Sequence, residues 1–207
     1  MNTTIGLVGN DIMDLKDAFN LQSFNNPRYL AKVMTPGELS IIREGTSLFY
    51  IPQLIWTIKE SAYKLMVKRG LRKRFNPVNF EVFNISDNCK GPKLITSSVV
   101  FDQCVFHACS ECTDDYIHTW VGTSNRWAGL RRRVLSKQKG SDERSELKHD
   151  LANYLKLESS RLSVVKGKDT GIPSIIVDQE NPIGDFSMSH DGDYISYVYN
   201  AQAITIS

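Results

Sequence analysis

The stretch "IPQLIWTIKESAYKLMVKRG", residues 51–70, has the length and spacing of one long amphipathic helix closed by Gly70. On a helical projection Leu54, Ile55, Ile58, Ala62, Leu65 and Met66 share a stripe about 120° wide, with Trp56, Glu60, Tyr63 and Lys64 on the opposite side. Glu60 and Lys64 are one turn apart, so their side chains are neighbours. An exposed pair at this spacing contributes only roughly 0.2–0.5 kcal/mol and is ordinarily surface. The helix therefore either shows water a charged face or holds a carboxylate and an ammonium in fixed geometry.

Upstream, "TIGLVGNDIMDL" (residues 4–15) begins as a buried strand and turns polar at Gly9-Asn10-Asp11. Asp11 and Asp14 thus follow a strand, where a carboxylate caps a turn or presents a rigid oxygen ligand to a metal. Thr35-Pro36-Gly37-Glu38 has the form of a helix start, with Thr35 as cap and Glu38 three residues on, and Gly45 is the expected stop. Downstream, residues 78–86 read as a strand and residues 93–122 as two or three more. Residues 126–145, rich in Arg, Lys, Ser and Glu, read as a loop or exposed helix end; residues 145–158 are again helical, and short strands follow from residue 161. Helices grouped early and strands grouped later predict an α+β fold with a long helix on a mainly antiparallel sheet, all within one domain spanning residues 1–207. A short echo, "DDYIHTWVG" (114–122) against "GDYISYVYN" (192–200), reads as two similar hairpins.

With 207 residues, 41% hydrophobic and 23% charged, the chain is composed like a soluble globular protein able to bury a core. No run approaches the roughly 20 apolar residues of a bilayer span. Asp11, Asp14, Lys16 and Asp17 exclude a signal-peptide core near the start, so a cytoplasmic location and no membrane partner are expected. A net charge of +2 supplies no global field that demands nucleic acid, although residues 67–75 and 129–134 are basic patches. Cys109 and Cys112 form a C-x-x-C near His107 and His118, which raises zinc. The remaining pair, Cys89 and Cys104, is too widely spaced for the usual second couple, so reduced thiols are expected.

A third polar stretch, "SMSHDGDY" (187–194), sets Ser187, Ser189 and His190 before a strand, where they can receive phosphate oxygens or build a turn. Gly9-Asn10-Asp11-Ile12-Met13-Asp14, Trp56-Thr57-Ile58-Lys59-Glu60-Ser61-Ala62-Tyr63-Lys64 and Ser187-Met188-Ser189-His190 together resemble the motifs of the 4′-phosphopantetheinyl transferases. "RFNPVNFEV" and "DTGIPSIIV" are similar to strands of the same family. The motif order matches its short, holo-acyl-carrier-protein synthase class, with an insertion at about residues 87–158. Asn10 departs from an apolar position of the family pattern, and Asp14 stands for a commoner Glu.

The resemblance implies transfer of the 4′-phosphopantetheine arm of coenzyme A to a serine of an apo acyl carrier protein, with release of adenosine 3′,5′-bisphosphate. It implies Mg²⁺ on Asp11 and Glu60, with Lys64 at the phosphates and either Glu60 or Lys64 taking the serine proton. Ser187, Ser189 and His190 should contact coenzyme A, while Lys68, Arg69 and Arg72 meet its 3′-phosphate or the carrier, and Arg28 and Lys32 are further candidates for carrier contacts. In the family the metal residues and S-x-S-H meet across an interface; one copy of each here implies a homotrimer. The competing readings are a non-catalytic carrier or coenzyme A binder of the same fold, and a nucleic-acid-binding domain using Lys68 to Arg74, Arg131 to Arg133 and Trp127.

Overall fold

The structure, a computed structural model, describes residues 7–17, 22–44, 50–72, 74–87, 94–125, 127, 129–137, 143–167, 171–180, 182 and 184–200. Gly45, Lys73, Cys89 and Arg126 lie outside these residues. The chain is a mixed fold of helices and antiparallel strand pairs, as the clustering of helical and strand periodicities implied.

The first strand, β1 (Val8–Asp14), is followed by helices α1 (Pro27–Val33), α2 (Pro36–Glu44) and α3 (Ile51–Lys68). Strands β2 (Glu81–Asp87), β3 (Leu94–Phe101), β4 (Cys104–Cys112) and β5 (Tyr116–Gly122) then complete a five-stranded antiparallel sheet of order β1-β5-β4-β3-β2. Helix α3 lies on this sheet, with Leu54, Ile55, Ile58, Ala62 and Leu65 each fully buried against residues such as Ile95, Val99 and Ile117. Full burial of such side chains contributes about 1.5–3 kcal/mol each. Gly9 makes the close approach possible: a Cβ there would overlap the Ser61 carbonyl oxygen on α3.

Helix α2 begins with the capping box read from its sequence. The Thr35 backbone N–H donates to Glu38 Oε2 (2.7 Å), and the Glu38 N–H donates to Thr35 Oγ1 (3.3 Å). Glu38 is itself fully buried and accepts from the Val82 N–H (2.8 Å) and from Lys59 Nζ (2.5 Å). Burial pushes the Lys59 ammonium below its usual range while Glu38 pulls it back. This lysine of the long helix is thus a structural pin between α2, α3 and β2.

After β5 the same succession recurs. Strand β6 (Leu130–Ser136), helix α4 (Glu143–Leu155) and strands β7 (Leu162–Lys166), β8 (Pro173–Val177), β9 (Asp185–Asp191) and β10 (Tyr194–Asn200) follow in turn. They form a sheet β6-β10-β9 and a hairpin β7-β8, with β8 against β9. A second core gathers Leu147 and Leu151 of α4 with Leu162, Ile175, Phe186, Ile195 and Tyr197.

The spatial order β6-β10-β9 beside β8-β7 repeats β1-β5-β4-β3-β2. The echo between residues 114–122 and 192–200 falls on β5 and β10, the matching central strands of the two sets. Tyr116 and Tyr194, equivalent in that echo, face each other with ring centroids 5.1 Å apart, as residues near a local two-fold do. The echo therefore marks two halves of like topology, more than the two similar hairpins expected from sequence. Residues 87–158, expected as an insertion, supply β3 to β5 to the first half and β6 with α4 to the second.

The segment 126–145, expected as a loop or helix end, contains β6. Its arginines are engaged: Arg131 lies over the Tyr154 ring (4.5 Å), Arg132 over Trp120 (4.5 Å), and Arg133 reaches Asp150 (3.3 Å). Cys109 and Cys112, three apart on β4, pack in different apolar clusters on opposite faces of the sheet, as strand alternation requires, so they do not form one ligand couple. No described helix is long and apolar enough to cross a membrane.

Candidate active site

The two halves meet where β1 stands on β9. Three edge N–H groups of β1 are met by β9 side chains: Val8 donates to Asp185 Oδ2 (2.6 Å), Asn10 to Ser187 Oγ (3.0 Å) and Asp14 to Asp191 Oδ2 (2.8 Å). At the next place in this series Ser189 donates to Asp11 Oδ1 (2.7 Å). Lys68, at the end of α3, adds three bonds to the junction, to Val8 O (2.7 Å), Phe186 O (2.7 Å) and Asp185 Oδ1 (2.8 Å).

The carboxylates come from two elements of the first half. Asp11 projects from β1 and is buried; Lys64 of α3 donates to its Oδ1 (2.8 Å) and also to Ser189 Oγ (2.8 Å). Glu60, one turn before Lys64, lines the same cavity as Asp11 and Trp56. Burial first, then the charge of Asp11, push the Glu60 carboxyl up to about 8, while Lys64 opposes the shift.

Trp56 and Tyr63, placed by periodicity away from the core, pack instead into an aromatic cluster with Phe24, Tyr29, Phe75 and Phe80. Behind Asp11, Asn10 is fully buried and donates to Ser196 Oγ (2.8 Å), with His118 Nε2 at 3.3 Å. Burial, with Arg132 and Lys64 adding to it, drives His118 down to about 3, which leaves a neutral ring in this polar layer. Asn10 thus answers a polar junction between the halves, which explains its departure from an apolar residue.

These groups line a cavity of about 520 Å³. Asp11, Glu60 and Lys64 belong to its first-half wall; Ser187, Ser189 and exposed His190 belong to its second-half wall, together with Lys166 and Gly171-Ile172-Pro173. All three motifs singled out in the sequence therefore converge. Lys166, exposed at the end of β7, was not foreseen; its only signal is its place five residues before Gly171.

Some expected contacts are rearranged. Lys68 lines the cavity, but its three bonds to protein acceptors exhaust the donors of an ammonium, so it joins the halves. Arg69 is exposed with its guanidinium over Phe106 (5.7 Å), Arg72 is exposed, and neither lines the cavity. Asp14 holds the β9–β10 turn: its Oδ2 accepts from the Asp193 N–H (3.0 Å), and at Gly192 (φ +49) a Cβ would collide with the Asp14 carboxylate. Arg28 and Lys32 lie on α1.

The S-x-S-H segment meets Asp11 and Lys64 inside one chain, so the motif count that implied a homotrimer no longer requires a second subunit.

The pair Asp11 and Glu60 suits a divalent cation, since a cation offsets the burial and the Asp11 charge that together push the Glu60 carboxyl up. No group of three or more His, Cys, Asp and Glu ligands occurs among the described residues. A hard ion held by two carboxylates would take its remaining ligands from phosphates and water, which is the habit of Mg²⁺.

Among known proteins, the family model of the 4′-phosphopantetheinyl transferase superfamily matches residues 7–121, more than half the chain, and runs from β1 into β5. No curated protein sequence matches the chain. With β1, α3 and their carboxylates all inside the matched segment, the chain belongs to the 4′-phosphopantetheinyl transferase superfamily.

Proposed function

We propose that the protein transfers the 4′-phosphopantetheine arm of coenzyme A to a serine of an apo acyl carrier protein, as a Mg²⁺-dependent, cytoplasmic enzyme of the holo-acyl-carrier-protein synthase type. The observation that carries this reading is the linkage of Asp11, Lys64 and Ser189, from three distant motifs, beside Glu60 in one cavity.

In this reading coenzyme A occupies the cavity with its pyrophosphate toward Lys64. Two of that ammonium's three N–H groups are held by Asp11 and Ser189, which leaves one for a phosphate oxygen. His190 and Lys166, on the opposite wall, add donors for further phosphate oxygens. Asp11 and Glu60 would hold Mg²⁺, which supplies positive charge to the pyrophosphate and to the departing bisphosphate. Glu60 takes the proton of the attacking serine. Lys64 is the weaker choice, because giving up its own proton would break its ion pair with Asp11. A single chain suffices, since both walls of the cavity belong to it.

The reading is tested by incubating the purified protein with Mg²⁺, coenzyme A and an apo carrier protein and weighing the carrier. A gain of one phosphopantetheine is expected, abolished by Glu60→Ala; no gain with any apo carrier from the same organism rejects it. The non-catalytic alternative predicts coenzyme A or carrier binding without that mass change. The nucleic-acid alternative has less support, because Arg131, Arg132 and Arg133 are engaged by protein groups.

A further inference from the structure

We infer that Ser189 is a positioning residue for the metal-binding carboxylate, acting through Asp11, and not a contact to coenzyme A; this rests on the reading of Asp11 and Glu60 as the metal pair. Ser189 is 8% exposed, and its hydroxyl donates to Asp11 Oδ1 (2.7 Å) and accepts from Lys64 Nζ (2.8 Å). A hydroxyl has one proton, and that proton is committed to Asp11. Asp11 Oδ1 in turn receives Ser189 and Lys64, which fills both of its lone-pair positions and leaves Oδ2 as the oxygen able to meet a cation. Ser189 thus selects which carboxylate oxygen is available and fixes the carboxylate plane.

The surrounding strand supports the same role. Asp185, Ser187 and Asp191 of β9 each give one side-chain oxygen to a backbone N–H of β1, the strand that carries Asp11. Ser189 continues this series but reaches a side chain in place of a backbone group. The serines of S-x-S therefore belong to the joint between the halves, while His190 is the exposed member.

The experiment compares the wild-type chain with Ser189→Ala, Ser189→Cys and Ser189→Thr in two titrations: Mn²⁺ alone, followed by the ion's paramagnetic resonance, and coenzyme A in EDTA, followed calorimetrically. Loss of an outer partner of a metal ligand typically weakens metal affinity by about 10–100-fold. Ser189→Ala and Ser189→Cys should weaken Mn²⁺ by about tenfold or more and leave metal-free coenzyme A binding within about twofold, with Ser189→Thr restoring Mn²⁺ affinity. Ser189→Cys keeps the side chain's size, so it decides the matter should the alanine variant fail to fold. Unchanged Mn²⁺ affinity, no Mn²⁺ binding by the wild type, or an equal loss in coenzyme A affinity would overturn the inference. Because neither titration uses a carrier protein, failure to modify any carrier would count against the proposed transfer while this result stood separately.

Discussion

The two halves share a strand succession and differ at the places where chemistry is carried. Strand pairing puts Asp11 opposite Thr119 and Arg133 opposite Tyr197, so Gly9-Asn10-Asp11 of β1 corresponds to Arg131-Arg132-Arg133 of β6. In the same way Cys109-Ser110-Glu111-Cys112 of β4 corresponds to Ser187-Met188-Ser189-His190 of β9. Each half supplies one wall of the cavity. The first holds the carboxylates and has Cys109 and Glu111 in the places of the two serines and Cys112 in that of His190; the second holds the hydroxyls and has the Arg133 guanidinium in the place of Asp11. A frame used twice thus yields one cavity that draws on both copies.

The comparison is broken most sharply at Glu60. Glu60→Gln should lower carrier modification by at least about 10³-fold, as loss of a charged group at a phosphoryl-transfer centre does, without lowering the melting temperature. An active Glu60→Gln would remove the asymmetry between the halves.

Two stability predictions come next. Lys59→Met leaves the fully buried Glu38 carboxylate unpaired, and urea unfolding should show a loss of about 3–5 kcal/mol. Lys68→Met strands the carboxylate of Asp185 and two carbonyls at the junction of the halves. It should cost about 2–4 kcal/mol and raise the KM for coenzyme A by moving the second wall.

A smaller effect is expected from pH. The Glu60 carboxyl, raised from 4.5 to about 8 in the metal-free protein, keeps its proton in the fold at pH values where the unfolded chain has lost it. Its contribution is fully present below about pH 4.5 and is lost as pH rises through about 8. In EDTA the melting temperature should fall across that window, and the gain on adding Mg²⁺ should be larger at pH 8 than at pH 6. Least affected is Arg133→Ala: it removes a half-exposed pair with Asp150, should cost less than about 1 kcal/mol, and should leave carrier modification intact.

What could be read from the amino acids tracks how local the determining interactions are. The capping box of Thr35 and Glu38, the stop at Gly70 and the apolar stripe of α3 depend on neighbours within a turn or two, and each appears in the structure. The three motifs were legible because their residue types recur in fixed order. Strand β6 was hidden because three consecutive arginines look solvated, yet two of them lie over the rings of Tyr154 and Trp120, distant in sequence. The structural roles of Lys59 and Lys68, the latter expected at the coenzyme A 3′-phosphate or the carrier, were hidden for the same reason, since their partners Glu38 and Asp185 lie on other elements. The repeated topology shows in the sequence only as a short echo on β5 and β10, because a repeated fold needs the same apolar alternation and not the same residues.

The most direct test of the account is the intact mass of an apo carrier protein after incubation with coenzyme A, Mg²⁺ and this protein, at a concentration where sedimentation gives the mass of a single chain. The account predicts that the carrier gains one phosphopantetheine under those conditions. No gain with any apo carrier from the same organism, or a gain confined to a trimeric fraction, would contradict it.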